Sequence, residues 1–142
     1  MVQGGGHRPV GPLLEHLTLR DFRGYADLDV SFGPGPQLIW GPNAAGKTSL
    51  VEAIVLLAWG RSHRTSTDAE LIRWSRPFAR VEGRTSDPET TLEVALVGTG
   101  PGISANAAAA AAVGPGAGGQ RKRVRVNGVP RRSSALLGGL RV

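Results

Sequence analysis

The chain has 142 residues, 17 of them Lys or Arg against 11 Asp or Glu, for a formal charge of +6. That length suits one domain or part of one. Its 21 Gly and 10 Pro exceed ordinary usage of roughly 12% and aromatics are only 5%, so turn and linker take much of the chain and the core is modest. With no cysteine, disulfides, thiolate zinc sites and a cysteine nucleophile are excluded.

Residues 1–12 lack an apolar signal core and read as a flexible extension, with a domain over 13–142. Leu17-Thr18-Leu19-Arg20 and Asp27-Leu28-Asp29-Val30-Ser31-Phe32 alternate strictly and predict two half-buried antiparallel strands joined by a turn over Phe22 to Ala26. Gly33-Pro34-Gly35-Pro36 breaks regular structure. Gln37-Leu38-Ile39-Trp40 then reads as a central strand covered on both faces. Lys47 to Gly60 predicts a buried helix with Leu50, Ile54 and Leu57 at helical spacing beside Val51, Val55 and Ala58. The apolar run from Val51 to Trp59 is too short to span a bilayer, so no membrane segment is expected.

Thr67 and Glu70 have capping-box spacing and announce a short helix closed by Pro77. Strands follow at 78–85 and 91–97, the second alternating Leu92, Val94 and Leu96 with polar or small neighbours. Residues 98–119 are mostly Gly, Ala or Pro and read as an expanded hairpin loop. Arg123 to Val126, the turn Asn127-Gly128 and Val129 to Arg131 form a hairpin. The expected sheet has six or seven strands. Leu140 to Val142 reads as a strand just beginning, which suggests truncation.

Gly41-Pro42-Asn43-Ala44-Ala45-Gly46-Lys47-Thr48 matches the P-loop pattern. Backbone N–H groups of such a loop converge on a phosphate, and the following helix presents its positive end to the same charge. Lys47 would reach the β- and γ-phosphates and Thr48 would ligate Mg²⁺, while Gly46 keeps a side chain out of the phosphate's space. The alternative is a glycine turn that merely joins strand to helix.

Other constellations carry less chemistry. His7, His16 and His63 share no ligand spacing and read as solvated. Trp40, Trp59 and Trp74 lie in apolar segments and read as core rather than stacking platforms. Residues 94–142 hold 7 basic side chains and no acidic one. Arg123 and Arg125 in the basic hairpin, with Arg61 and Arg64 after the P-loop helix, are therefore candidate phosphate or DNA contacts. The same arginines also fit a plain compositional bias and a solvated face.

The segments LTLRDFRGYADLDVSF, GPNAAGKTSLVEAIVLLAWGRSHRT, DAELIRW and RVRVNGVPRR together resemble the N-terminal part of the RecF family of bacterial recombination and replication-repair proteins. The resemblance implies an α/β fold: the first lobe of a P-loop NTPase of the ABC/SMC head type, with a mixed sheet of β-hairpins around a central P-loop strand and helix. It also implies a cytoplasmic protein of DNA repair and the SOS response that binds ATP with Mg²⁺ and dimerises around ATP. Its implied partners are single-stranded or gapped DNA and the proteins RecO and RecR. Arg20 and Arg23 would approach the nucleotide. The chain departs from the family at Gly24 in FRGY, where FRNY is common, at Ala44, often Gly, and at Ser49, usually Asn. No acidic residue follows Glu93, so the Walker B pair and signature segment are missing and no hydrolysis by this chain alone is expected. Two other readings are a non-catalytic basic nucleic-acid-binding module and a fragment of another SMC- or ABC-type head. An incomplete gene product is the dullest alternative.

Overall fold

The computed structural model describes residues 12–42, 46–86, 89–98 and 122–136. Strands β1 (Leu14–Phe22) and β2 (Tyr25–Ser31) form the expected hairpin around Arg23 and Gly24. Helix α1 (Lys47–Trp59) follows. Then come β3 (Phe78–Thr85), β4 (Thr90–Val97), β5 (Lys122–Val126) and β6 (Val129–Arg131). The strands build one sheet in the order β2-β1-β3-β4-β5-β6, every pairing antiparallel. Among the described residues the sheet is thus antiparallel throughout, where the sequence reading expected mixed pairing within the same lobe. Six strands agree with the expected number among the described residues.

Alternation decides which face is dry. Leu17 and Leu19 of β1, Ala79 and Val81 of β3, Leu92, Val94 and Leu96 of β4, and Val124 of β5 are buried on one side. Ala53, Leu56 and Leu57 of α1 pack on that face, with Phe22, Leu71 and Leu136 closing its edges. Each fully buried leucine contributes about 2 kcal/mol of transfer free energy. Helix and sheet approach closely at Gly83, where a Cβ would stand 2.7 Å from Leu57 Cδ1 and 2.9 Å from Leu14 Cδ1. The helix ends as expected at Gly60, left-handed at φ 70°, whose N–H donates to the Leu56 carbonyl at 2.8 Å.

Four expectations need correction. Residues 37–40 form no strand, and Leu38 and Trp40 are 86% and 83% exposed. A strand exists only through a backbone ladder, and none of the described strands pairs with this segment. The three tryptophans are not core either: Trp59 is 54% and Trp74 92% exposed. Trp59 sits on the solvent side of the last turn of α1, and Trp74 at the tip of a turn. The helix is rotated from the expected band, with Glu52 and Ala53 fully buried and Val51 exposed, because a guanidinium on β1's turn draws Glu52 inward. Finally, Asp68–Leu71 is a 3-10 turn in which Thr67 makes no side-chain cap. The Glu70 carboxylate instead accepts from Thr65 Oγ1 at 2.6 Å, which competes with the capping box. Residues 1–11 of the extension, residues 99–119 of the expected loop and the terminal Leu140 to Val142 lie outside the described residues.

Candidate nucleotide-binding site

Gly46 turns the chain into α1 in a left-handed conformation, φ 90° and ψ 6°, and its carbonyl accepts the first helical hydrogen bond, from Leu50 N at 3.0 Å. The first turn carries neither a side-chain cap nor an acidic residue. The amides there and their partial positive charge are thus left for a group outside the helix. Lys47 Nζ donates to the Gly41 carbonyl, joining the two ends of the loop. Thr48 and Pro42 are exposed. Asn43, Ala44 and Ala45 lie outside the described residues.

Gly46 has a second reason to be glycine, one the sequence reading did not supply. Tyr25 Oη donates to the Gly46 carbonyl at 3.0 Å, and a Cβ at Gly46 would stand 2.6 Å from that hydroxyl. The phenol fills the space a side chain would need. Thus the FRGY turn is the buttress of the P-loop.

A fully buried carboxylate locks the same turn to the helix. Glu52 accepts a fork from Arg23, Nε to Oε2 and Nη2 to Oε1, both at 2.9 Å. Ser62 Oγ donates to Oε1 at 2.6 Å, and Arg64 Nη1 lies 3.5 Å from Oε2. Arg23 also donates to the Glu70 carbonyl at 3.0 Å, and its own N–H to the Leu71 carbonyl at 2.8 Å. Burial alone would push the Glu52 carboxyl up, but the Arg23 fork, the Ser62 hydroxyl and the two positive charges outweigh it and hold it below the usual carboxylate range. Arg23 is raised in turn, chiefly by its hydrogen bonds to Glu52. Arg23 is therefore spent on Glu52 rather than aimed at a nucleotide, and Arg20 is exposed. Sequence reasoning missed Glu52. Its signal was an acid inside an apolar helical band, with an arginine in the preceding turn and a serine and an arginine just beyond the helix.

The candidate phosphate contacts are divided between two sheet faces. Arg61 and Arg64 lie on the α1 side, beyond the helix C-terminus, and about 20 Å of helix separates Arg61 from the P-loop. Arg123 and Arg125 pair in register with Ala95 and Glu93 and so point to the opposite face, where Arg125 and Arg80 flank Glu93 at 4.0 and 3.5 Å. His16 bonds Asp29 at 2.7 Å and Ser31 at 2.9 Å. Among the described residues no group of three His, Asp or Glu side chains is arranged to hold a metal ion. No described helix is long and apolar enough to cross a membrane.

This arrangement, an antiparallel sheet feeding a glycine-bounded loop and a buried helix, is that of a partial P-loop NTPase lobe of the ABC/SMC type. The family model described as an AAA domain matches residues 16–124, and the chain belongs to that family. Within it, the chain is similar to the N-terminal part of the DNA replication and repair protein RecF. It is 49% identical over 89 residues to RecF of Halalkalibacterium halodurans, covering 63% of this chain and 24% of that protein. With RecF of Chloroflexus aurantiacus it shares 53% identity over 75 residues, 48% of this chain and 19% of the relative. A solved structure of the recombination mediator protein RecF with ATP superposes with a TM-score of 0.70 at 27% identity, over 89% of this chain and 31% of that one. A structure from work on ATP-driven dimerisation of SMC ATPases shares the fold, with a TM-score of 0.67 at 20% identity, over 89% of this chain and 76% of that one. The chain spans about a quarter of the length of the curated relatives it matches.

Proposed function

We propose that this chain is the nucleotide-binding lobe of a RecF-like ATPase, which holds ATP with Mg²⁺ through residues 41–48. The observation that carries the reading is the start of α1: a left-handed glycine, an uncapped and acid-free first turn, and Lys47 folded across the loop. Triphosphate is strongly anionic, and amides already oriented toward it bind it with little reorganisation. Lys47 exchanges its carbonyl partner for a phosphate oxygen. The exposed Thr48 hydroxyl suits Mg²⁺, which supplies charge neutralisation of the phosphates when bound. Similarity to RecF extends the proposal to a cytoplasmic role in DNA replication, recombinational repair and the SOS response. Single-stranded or gapped DNA, RecO and RecR are the partners in that role, and a homodimer forms on ATP.

Turnover requires a carboxylate that orients water beside the phosphoryl group. The acid nearest the P-loop in sequence, Glu52, is buried and held by two guanidinium groups and a hydroxyl, so it does not serve. The chain alone binds and does not hydrolyse. Anisotropy of a fluorescent ATP analogue, with phosphate release measured in parallel, tests both halves. Saturable binding lost in Lys47→Ala, without phosphate release above background, is expected. Turnover by this chain that Lys47→Ala abolishes would refute the hydrolysis half.

A further inference from the structure

Two adjoining clefts, of about 580 and 620 Å³, open on the α1 side of the sheet beyond the helix C-terminus. They share a wall made by the Lys122–Asp68 ion pair, at 3.0 Å. Lys122 also donates to the Gly60 carbonyl at 3.0 Å, capping the negative end of α1. Among the described residues Asp68 is the one acid that lines either cleft, and Lys122 neutralises it. Around it stand Arg61, Arg131 and Arg132, for which no carboxylate lies within ion-pair distance among the described residues. Trp59, 54% exposed, lines the first cleft beside Arg61.

Hydrogen bonds and a tight turn brace the backbone next to these groups. Ser62 Oγ bonds inward to Glu52 and accepts from Arg64 N at 3.0 Å and Thr65 N at 3.3 Å, so its neighbours Arg61 and His63 are turned outward into the cleft. Across it, Asn127 (φ 51°) and Gly128 (φ 77°) make the tight turn of the β5–β6 hairpin. The register then places Arg131 opposite the core-facing Val124, on the same face as α1. Flexible surface arginines lose much entropy on binding; cations on a braced loop and a tight hairpin lose less.

We infer that this double cleft is a binding site for single-stranded nucleic acid, in which Arg61, Arg131 and Arg132 follow the phosphates and a base stacks on Trp59. A positively charged groove with an exposed aromatic is the arrangement that holds unpaired bases, because every base offers a face to stack and every linkage a charge. A duplex would meet the same charges with its bases already stacked on each other. The inference rests on the DNA-binding part of the proposed function but assigns it to residues remote from the P-loop, so the two fail separately.

The test is anisotropy of a fluorescein-labelled oligothymidine of about 20 nucleotides, titrated with the full chain over a range of salt. Trp59→Ala is expected to weaken binding about tenfold, in line with loss of one stacked base. Arg61→Ala/Arg131→Ala is expected to lower the slope of log affinity against log salt by about 1.4. The charge-matched Arg76→Ala/Arg84→Ala variant, at exposed positions that line neither cleft, should leave affinity within about twofold, as expected for charges outside the site. All variants should keep ATP-analogue binding. Equal losses in the two arginine doubles, or no effect of Trp59→Ala, would overturn the site while leaving DNA binding intact. A chain that binds a duplex or gapped DNA but not the oligothymidine would overturn the inference and spare the proposed function. Loss of oligothymidine binding in Lys47→Ala would move the site to the P-loop and also overturn it.

Discussion

Arg23→Ala is the sharpest perturbation of the account, because it leaves the Glu52 carboxylate fully buried with its fork removed. Breaking a buried ion pair from one side costs about 3–5 kcal/mol. Ser62 at 2.6 Å and Arg64 at 3.5 Å remain, which sets the expectation at the lower end, about 3 kcal/mol, still a large part of a stability of about 5–15 kcal/mol. In urea the midpoint should fall by about 1–2 M. Far-UV circular dichroism is the right probe, since the exposed tryptophans report little of unfolding. Glu52→Gln should cost less, because Arg23 is partly exposed and regains water when its partner is neutral. The pH dependence follows from the lowered Glu52 pKa. Its contribution is complete above the ordinary value of 4.5 and is lost as pH falls through the lower folded value. Arg23→Ala removes the main group that lowers this carboxyl, so the acid-dependent loss shrinks and the variant's deficit against the unaltered chain narrows as pH falls. An Arg23→Ala chain within about 1 kcal/mol of the unaltered one at neutral pH, or a Glu52→Gln chain less stable than Arg23→Ala, would refute the buried-pair reasoning.

The P-loop buttress predicts that Gly46→Ala, strained at φ 90° and set against the Tyr25 phenol, lowers stability by about 2 kcal/mol or more, read by urea melts. Tyr25→Phe keeps the ring and removes only the bond to the Gly46 carbonyl, so it should cost about 1 kcal/mol in the same assay. Gly83→Ala wedges a methyl against Leu57 and Leu14 and should lower the thermal midpoint, by about 1–3 kcal/mol of overpacking. Trp74→Ser, at a position 92% exposed, should leave that midpoint unchanged, within about 0.5 kcal/mol.

Much of this was legible along the chain, for local reasons. Leu17 and Leu19, Leu92 to Leu96 and the Asn127-Gly128 turn announced the strands and the hairpin, because period-two alternation and turn chemistry are written in adjacent residues. Gly46, Lys47 and Gly60 announced the helix and its ends. What stayed hidden depends on contacts distant in sequence. Gln37 to Trp40 carried the composition of a buried strand, but a strand needs a partner ladder that composition does not reveal. Thr65 outcompeted Thr67 for Glu70, a choice visible only in three dimensions. The rotation of α1 likewise follows from Arg23 reaching Glu52 across 29 residues. At the candidate site the phosphate-binding pattern was readable as a motif, whereas its buttress Tyr25 and its lock Glu52 were not.

The central claim is that residues 41–48 bind a nucleotide through Lys47 and the start of α1. Calorimetric titration of ATP with Mg²⁺ into the chain and into its Lys47→Ala variant tests it most directly, with circular dichroism to verify that both are folded. The account predicts saturable one-site binding by the unaltered chain and none by a folded Lys47→Ala chain. Absence of binding by the folded, unaltered chain, or undiminished binding by Lys47→Ala, would contradict it.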